Sequence, residues 1–248
     1  MKTYKRKLLN LVEYIFKPLY RKIYNELSIS IRIDQIKRFG NISDGGYIID
    51  VSNEYSTLLS FGIAQDVSFE KDFSNYYPSA KIICFDPSVN SLPEPIMNSY
   101  FYKLGVAKNT HLNYLSLTDI VYAHKLDPKL NNIIKMDIEG FEWEVIEHSF
   151  ESLKMFDNFI AEFHFYERPR KPIFLFPFTL YKRLQLLRKL KKHFYIYNVH
   201  FNNGPGIIKF KNFLLPQCVE ISFLNKTNPK LRDLNAPNNP SKPDNQMF

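Results

Sequence analysis

Hydrophobic positions change period several times along the chain, and the changes mark out its elements. Residues 4–27 place Leu8, Leu11, Val12, Ile15, Phe16, Leu19, Ile23 and Leu27 on one helical face, with Lys5, Arg6, Lys17, Arg21 and Lys22 largely elsewhere. That pattern predicts a basic amphipathic helix with a kink at Pro18. Two readings of it stay open: a cap packed on the domain, or peripheral contact with an anionic membrane through residues 2–22, by apolar insertion plus Lys/Arg attraction. Next, Asp44-Gly45-Gly46 is a turn sequence, and Tyr47-Ile48-Ile49 after it reads as a strand. The hairpin this predicts would carry Arg38 or Asp44 over the mouth of a pocket.

From Thr57 onward, short apolar runs alternate with helical periods. Residues 58–62, 81–85, 100–104, 133–136, 158–163, 194–200 and 219–224 read as strands, and residues 66–76, the stretch from Phe141, and 179–193 as helices. The interleaving predicts an α/β fold with a doubly wound, Rossmann-like, mostly parallel seven-stranded sheet. Between His200 and Cys218 no helical period intervenes, and Asn202-Asn203-Gly204-Pro205-Gly206 is turn chemistry. The last two strands are therefore expected to be adjacent and antiparallel. The chain divides into the N-terminal helix (1–30), one domain (31–226) and a disordered tail (227–248) within an Asn-, Pro- and Lys-rich stretch that begins at Asn225.

Composition narrows the class. At 248 residues, 45% hydrophobic with 22 Phe and 16 Tyr, the chain can bury one substantial core, which a disordered protein could not. The 33 basic against 25 acidic side chains leave +8, much of it within 2–22 and 182–192. Nucleic acid, anionic lipid and an anionic small substrate all suit that sign. Cys84 and Cys218 each lie in an apolar run and read as core residues in a reducing compartment, hence a cytoplasmic protein, at the inner face of the membrane if the first helix binds there. The apolar stretch 8–16 is broken by Asn10 and Glu13 and lacks a small-residue cleavage site, so no signal peptide is expected.

In open α/β sheets ligands bind at the carboxyl ends of the strands. Gly62 and the small Ala64 follow the first parallel strand, where backbone must approach a ligand, but no G-x-G-x-x-G cradles a dinucleotide. Asp86 ends the second strand at a spacing that suits a ribose hydroxyl. Gly105 and Val106 follow the third, where an adenine ring could lie against backbone. Asp137 and His164 end the fourth and fifth, as an acid/base pair or as two ligands of a divalent cation such as Mg²⁺, with Glu162 on the same side as His164. Glu139 stands beside Asp137, and His200, Asn202 and Asn203 follow the sixth strand, where polar side chains suit substrate hydroxyls.

In this order, Asp44-Gly45-Gly46-Tyr47, Ser60-Phe61-Gly62 with Asp66 and Phe69-Glu70, Phe85-Asp86-Pro87, Lys135-Met136-Asp137-Ile138-Glu139-Gly140-Phe141-Glu142, Glu162-Phe163-His164 and His200-Phe201-Asn202-Asn203 resemble the FkbM-like class I S-adenosylmethionine-dependent methyltransferases. The resemblance implies a seven-stranded sheet with an antiparallel last strand, cofactor contacts at Gly62, Asp66 and Glu70, ribose contact at Asp86, and Asp137 near the transferred methyl. It further implies O-methylation of a sugar hydroxyl in glycan assembly, with S-adenosylmethionine and a carbohydrate or glycoconjugate as partners. Gly62-Ile63-Ala64 departs from the G-x-G of most class I enzymes. An RNA 2′-O-methyltransferase would share the fold and use a Lys-Asp-Lys-Glu set. Asp137 and Glu220 suit that set, but His164 stands where it needs a lysine, so nucleic acid is not the expected partner. A non-catalytic scaffold that keeps the fold is the rival from another class.

Overall fold

A computed structural model describes residues 17–42, 45–165, 176–210 and 213–228, with side chains described outside 176–177, 203–210 and 213–217. In chain order the elements are α1 (17–26), β1 (Ile36–Phe39), β2 (Tyr47–Asp50), β3 (Thr57–Phe61), α2 (Ser68–Tyr76), β4 (Lys81–Phe85), β5 (Ser99–Tyr102), β6 (Gly105–Ala107), β7 (Tyr114–Ser116) and α3 (Leu117–Ala123). They continue with β8 (Asn132–Met136), α4 (Glu142–His148), α5 (Phe150–Leu153), β9 (Asn158–His164), α6 (Phe176–His193), β10 (Phe194–Phe210) and β11 (Phe213–Asn225).

The main sheet has the order β10-β11-β9-β8-β3-β4-β5. β3, β4, β5, β8 and β9 are parallel, and β11 runs antiparallel to both β9 and β10. This is the doubly wound, Rossmann-like seven-stranded sheet with an antiparallel last strand. Every residue of β3 and of β8 is buried, as central strands covered on both faces require. The β1–β2 hairpin and α2 cover one face around Phe39, Tyr47, Phe69 and Phe73, while α1 and α3–α6 cover the other. The chain leaves β3 toward β4 on one side and returns to β8 on the other, so the strand order reverses between β3 and β8 and opens a crevice at their carboxyl ends.

Two differences from the sequence reading have local causes. The turn expected at 202–206 lies inside β10, where the β10–β11 register shifts between Asn202 and Ile207, so the hairpin continues to Phe210 and Phe213. An irregularity of this kind absorbs extra residues without ending the ladder. The two-stranded β6–β7 sheet and α3 are too short to impose a period and went unread. In α1, Tyr20 and Ile23, with Leu27 just beyond, are at most 3% exposed within the core, so the apolar face of the described part of this helix faces protein. Residues 2–16 and 229–248 lie outside the described residues. Among the described residues no helix is long and apolar enough to cross a membrane.

Candidate active site at the carboxyl ends of the strands

The turn after β3 depends on backbone that few residues adopt. Gly62 has φ +74 and Ala64 φ +44. The Gly62 amide donates to the Phe85 carbonyl at 3.1 Å, and its carbonyl accepts from Lys135 Nζ at 3.0 Å. A Cβ on Gly62 would lie 1.6 Å from the Asp137 carbonyl oxygen, so the glycine is required where the ends of β3 and β8 cross. Ala64 stands exposed on the outer side of the turn. Its amide donates to Asp86 Oδ2 at 2.8 Å, while Asp86 Oδ1 accepts from the Ser88 amide and hydroxyl, both at 2.6 Å. Burial pushes the Asp86 carboxyl up, but the Ser88 hydroxyl and the amides of Ala64, Ser88 and Ile63 outweigh it and hold the group below its ordinary value. Asp86 thus joins two strand ends, and a ribose hydroxyl at Oδ2 would share that oxygen with Ala64.

The remaining residues expected on this side have structural partners. Asp66 accepts from Asn41 Nδ2 at 2.6 Å and from the Ser68 amide at 2.9 Å, tying the hairpin loop to the start of α2. Burial raises its pKa, and these bonds, the Ser68 ones foremost, bring it below the usual carboxylate range. Glu70 is fully buried beneath the turn. Its Oε1 accepts from the Ser60 hydroxyl and lies 3.5 Å from Lys135 Nζ, and its Oε2 has no hydrogen-bond partner among the described residues. Burial alone would lower the Lys135 pKa, yet the charges of Glu70 and Asp137 raise it. A Cβ on Gly105 would meet the Tyr114 ring at 2.3 Å, so the space beside this glycine holds a side chain of the protein itself, and Val106 is core.

At the end of β8, the Asp137 amide donates to the Phe61 carbonyl at 3.1 Å, and the Tyr47 hydroxyl donates to Asp137 Oδ2 at 3.0 Å. Burial raises the Asp137 pKa against the opposing pull of Lys135, Tyr47 and His164. Glu139 (φ +55) and Gly140 (φ +100) then turn the chain into α4. Glu142, fully buried, gathers this turn: its Oε1 accepts from the Ile138 amide at 3.1 Å, the Gly140 amide at 3.0 Å and His164 Nδ1 at 3.1 Å. His164 Nε2 lies 3.5 Å from Glu139, and the Trp143 indole donates to the His164 carbonyl at 2.9 Å. Burial pushes the His164 pKa down, but hydrogen bonds to Cys218 and Glu142 outweigh it and carry it to about 11. The buried Glu142 carboxylate at Nδ1 thus favours the protonated ring.

Strand pairing extends this polar face. Glu162 is opposite Glu220 and His164 opposite Cys218, while on the far side of β11 His200 faces Glu220 and Asn202 faces Cys218. Asn202 Nδ2 donates to Glu162 Oε1 at 3.4 Å. Cys218, expected to be plain core, is buried here beside His164, its thiol pushed up to about 11 by burial. His200 is half-buried, and burial and Arg38 lower its pKa. Asp44 lies outside the described residues, as does the side chain of Asn203.

Tyr47, Glu142 and Lys135 were the residues that sequence reasoning left unassigned. Tyr47 is buried against Asp137, and the charges of Glu162 and Glu220 also raise its pKa. The signal for Tyr47 and Glu142 lay in motifs already singled out, Asp44-Gly45-Gly46-Tyr47 and Gly140-Phe141-Glu142, whose last members do the contacting.

Among the described residues, two groups bring possible metal-ligand atoms within 4.8 Å of one another: Asp137, Glu139 and His164, and Glu162, His164 and Cys218. In the first, Glu142 holds Nδ1 and leaves Nε2 toward the carboxylates, an arrangement that orients histidine ligands. Two carboxylates with an imidazole suit Mn²⁺, Fe²⁺ or Zn²⁺ better than Mg²⁺, which prefers oxygen.

No sequence family and no curated protein matches the chain. Among solved structures, it is similar to the fibrillarin/Nop5p complex, at 9% identity over 70% of this chain and 74% of that one, with a TM-score of 0.41. It is similar to the Methanococcus jannaschii fibrillarin pre-rRNA processing protein at 12% identity over 70% of this chain and 68% of that one, TM-score 0.40. It is also similar to the antibiotic-resistance methyltransferase Kmr at 12% identity over 75% of this chain and 99% of that one, TM-score 0.36.

Proposed function

We propose that the protein is an S-adenosylmethionine-dependent O-methyltransferase acting on a sugar hydroxyl of a glycan or glycoconjugate. The observation that carries the reading is the left-handed Gly62–Ala64 turn held by Asp86 at the reversal of the strand order, with Asp137 across from it. The donor set fits the cofactor: small residues at the turn, an ionised acid at the second strand's end, and a carboxylate at Asp137 toward a sulfonium. Gly62, Ala64, Asp66 and Asp86 would hold it, with Glu70 acting from beneath through Lys135 and Gly62. Once bound, S-adenosylmethionine supplies a methyl group on a cationic sulfur.

The acceptor half favours hydroxyls over phosphates. Asp137, Glu139, Glu162 and Glu220 repel a polyanion, and with Asn202 and His200 they offer acceptors and donors suited to a neutral polyol. Asp137 is the general base. Its pKa is raised by burial, and Tyr47 occupies Oδ2, leaving Oδ1 for the proton of the attacking hydroxyl. His164, protonated and pinned by Glu142, orients the acceptor oxygen and stabilises the negative charge that develops on it as its proton passes to Asp137. Holding that oxygen in line with the methyl can supply roughly 7–11 kcal/mol of the barrier.

A second reading has the geometry of Glu142 and His164 Nδ1 behind it. A divalent cation held by Asp137, Glu139 and His164 Nε2 would acidify the hydroxyl directly. Turnover that survives chelation selects the metal-free form.

Calorimetric titration with S-adenosylhomocysteine tests the whole reading, with Asp86→Ala as control. Micromolar binding that the substitution abolishes supports it. A folded protein that binds no S-adenosylhomocysteine is the scaffold instead.

A further inference from the structure

α6 carries Lys182, Arg183, Arg188, Lys189, Lys191 and Lys192 and no acidic residue. Its stripe of Leu180, Leu184, Leu187 and Leu190 is buried in the core, while Lys182, Arg188, Lys189 and Lys192 are exposed on the other side. Phe178 and Tyr181, near the start of the helix, are 61% and 52% exposed. α1 lies alongside: Glu26 bonds Arg188 at 2.8 Å and Lys191 at 3.1 Å, and Arg21 and Lys22 are exposed on its outer side. Glu26 is the one acid among the described residues of the two helices. The described residues of α1 and α6 therefore carry nine cations against one acid.

We propose that the α1–α6 flank docks on an anionic membrane surface, its cations on the lipid headgroups and the rings of Phe178 and Tyr181 at the interface. A polybasic face needs only sign and spacing to bind anionic lipid, and from Lys182 to Lys192 it runs about 15 Å along the helix. A nucleic-acid strand would need a basic path into the site, and among the described residues Asp137, Glu139 and Glu162 gather there around His164 instead. The apolar face of the described α1 is spent on the core, so docking is peripheral and salt-sensitive and does not insert this helix. The docked end of α6 adjoins the crevice. Arg183 bonds the Phe165 carbonyl just past β9 and stacks over Trp143, whose indole holds His164. A membrane-carried molecule would thus meet the site at its edge. The docking itself stands independently of the methyl-transfer reading.

The test is co-sedimentation of the full chain with phosphatidylcholine vesicles, with and without about a third of phosphatidylglycerol, at low and high salt. The expected result is binding to the anionic vesicles only, released by salt. Combined Lys182→Gln, Lys189→Gln and Lys192→Gln should weaken it about a hundredfold with an unchanged melting temperature. Because Trp143 is the only tryptophan, Phe178→Trp adds a reporter whose emission should shift to the blue on vesicles. Equal binding to neutral vesicles, no vesicle binding, a triple variant that binds like the parent, or capture of poly(U) without vesicle binding would each overturn the proposal.

Discussion

The carboxylates on the β3–β4 side of the crevice and those on the β9–β11 side are held in opposite ways. Asp66 and Asp86 accept from main-chain amides and neutral side chains, and both sit below their ordinary pKa despite burial. Glu70 has a lysine. Across the crevice, Asp137 is raised by burial despite Lys135 and Tyr47, Glu162 faces Glu220 from the next strand, and a titratable histidine bonds Glu142 and lies 3.5 Å from Glu139. One side has its charge fixed by backbone that cannot move a proton. The other keeps groups that can. That division is what a site needs when one ligand must be held and another must lose a proton, and it can be attacked from either side.

The largest effect should come from beneath the fixed side. Lys135→Met leaves Glu70 buried without its cation and should cost about 3–5 kcal/mol, read from urea unfolding. Adding Glu70→Gln should restore much of the loss, because the pair is then removed together. If the double variant is as unstable as the single one, the ion pair is not what holds the turn. Gly62→Ala comes next, at about 2–4 kcal/mol, since it combines a positive φ with a methyl driven into the Asp137 carbonyl. It should also abolish binding of S-adenosylhomocysteine in whatever fraction remains folded.

The titratable side should answer to pH. The folded pKa of His164, about 11, stands above its ordinary 6.5, so its contribution to stability is fully present below pH 6.5 and is lost as pH rises toward 11. Stability should fall by about 1–3 kcal/mol over the two units above pH 6.5, and His164→Gln should flatten that slope. Thermal unfolding across the range checks it, and an unchanged slope in the variant would assign the proton elsewhere.

How much of this was legible follows from the range of each interaction. The seven strands, the hairpin at Asp44-Gly45-Gly46 and the antiparallel end of the sheet announce themselves through local period and turn chemistry. Gly62, Asp86, Asp137 and His164 were readable as strand-end residues because strand ends are where such sheets bind ligands. What their side chains touch was not readable. The place of Glu70 under the turn depends on Lys135, four strands and a helix away in the chain. The room at Gly105 is filled by Tyr114 through a β6–β7 pairing too short to show a pattern. Cys218 looked apolar because it sits in an apolar run, and only the register of β11 against β9 puts it opposite His164.

The smallest change tests where the two sides meet. Tyr47 comes from the hairpin on the fixed side, its ring near Lys135 and its hydroxyl on Asp137. Tyr47→Phe removes one hydrogen bond to a charged group, worth about 1–2 kcal/mol. It also removes an influence that lowers the Asp137 pKa, so that carboxyl should shift further up. If Asp137 takes the proton, the acid limb of the kcat profile moves to higher pH and neutral-pH turnover falls only a few-fold, with S-adenosylhomocysteine binding unchanged. A loss of cofactor affinity with no movement of the acid limb would place Tyr47 on the fixed side alone, and the general base would have to be sought among Glu139, Glu162 and Glu220.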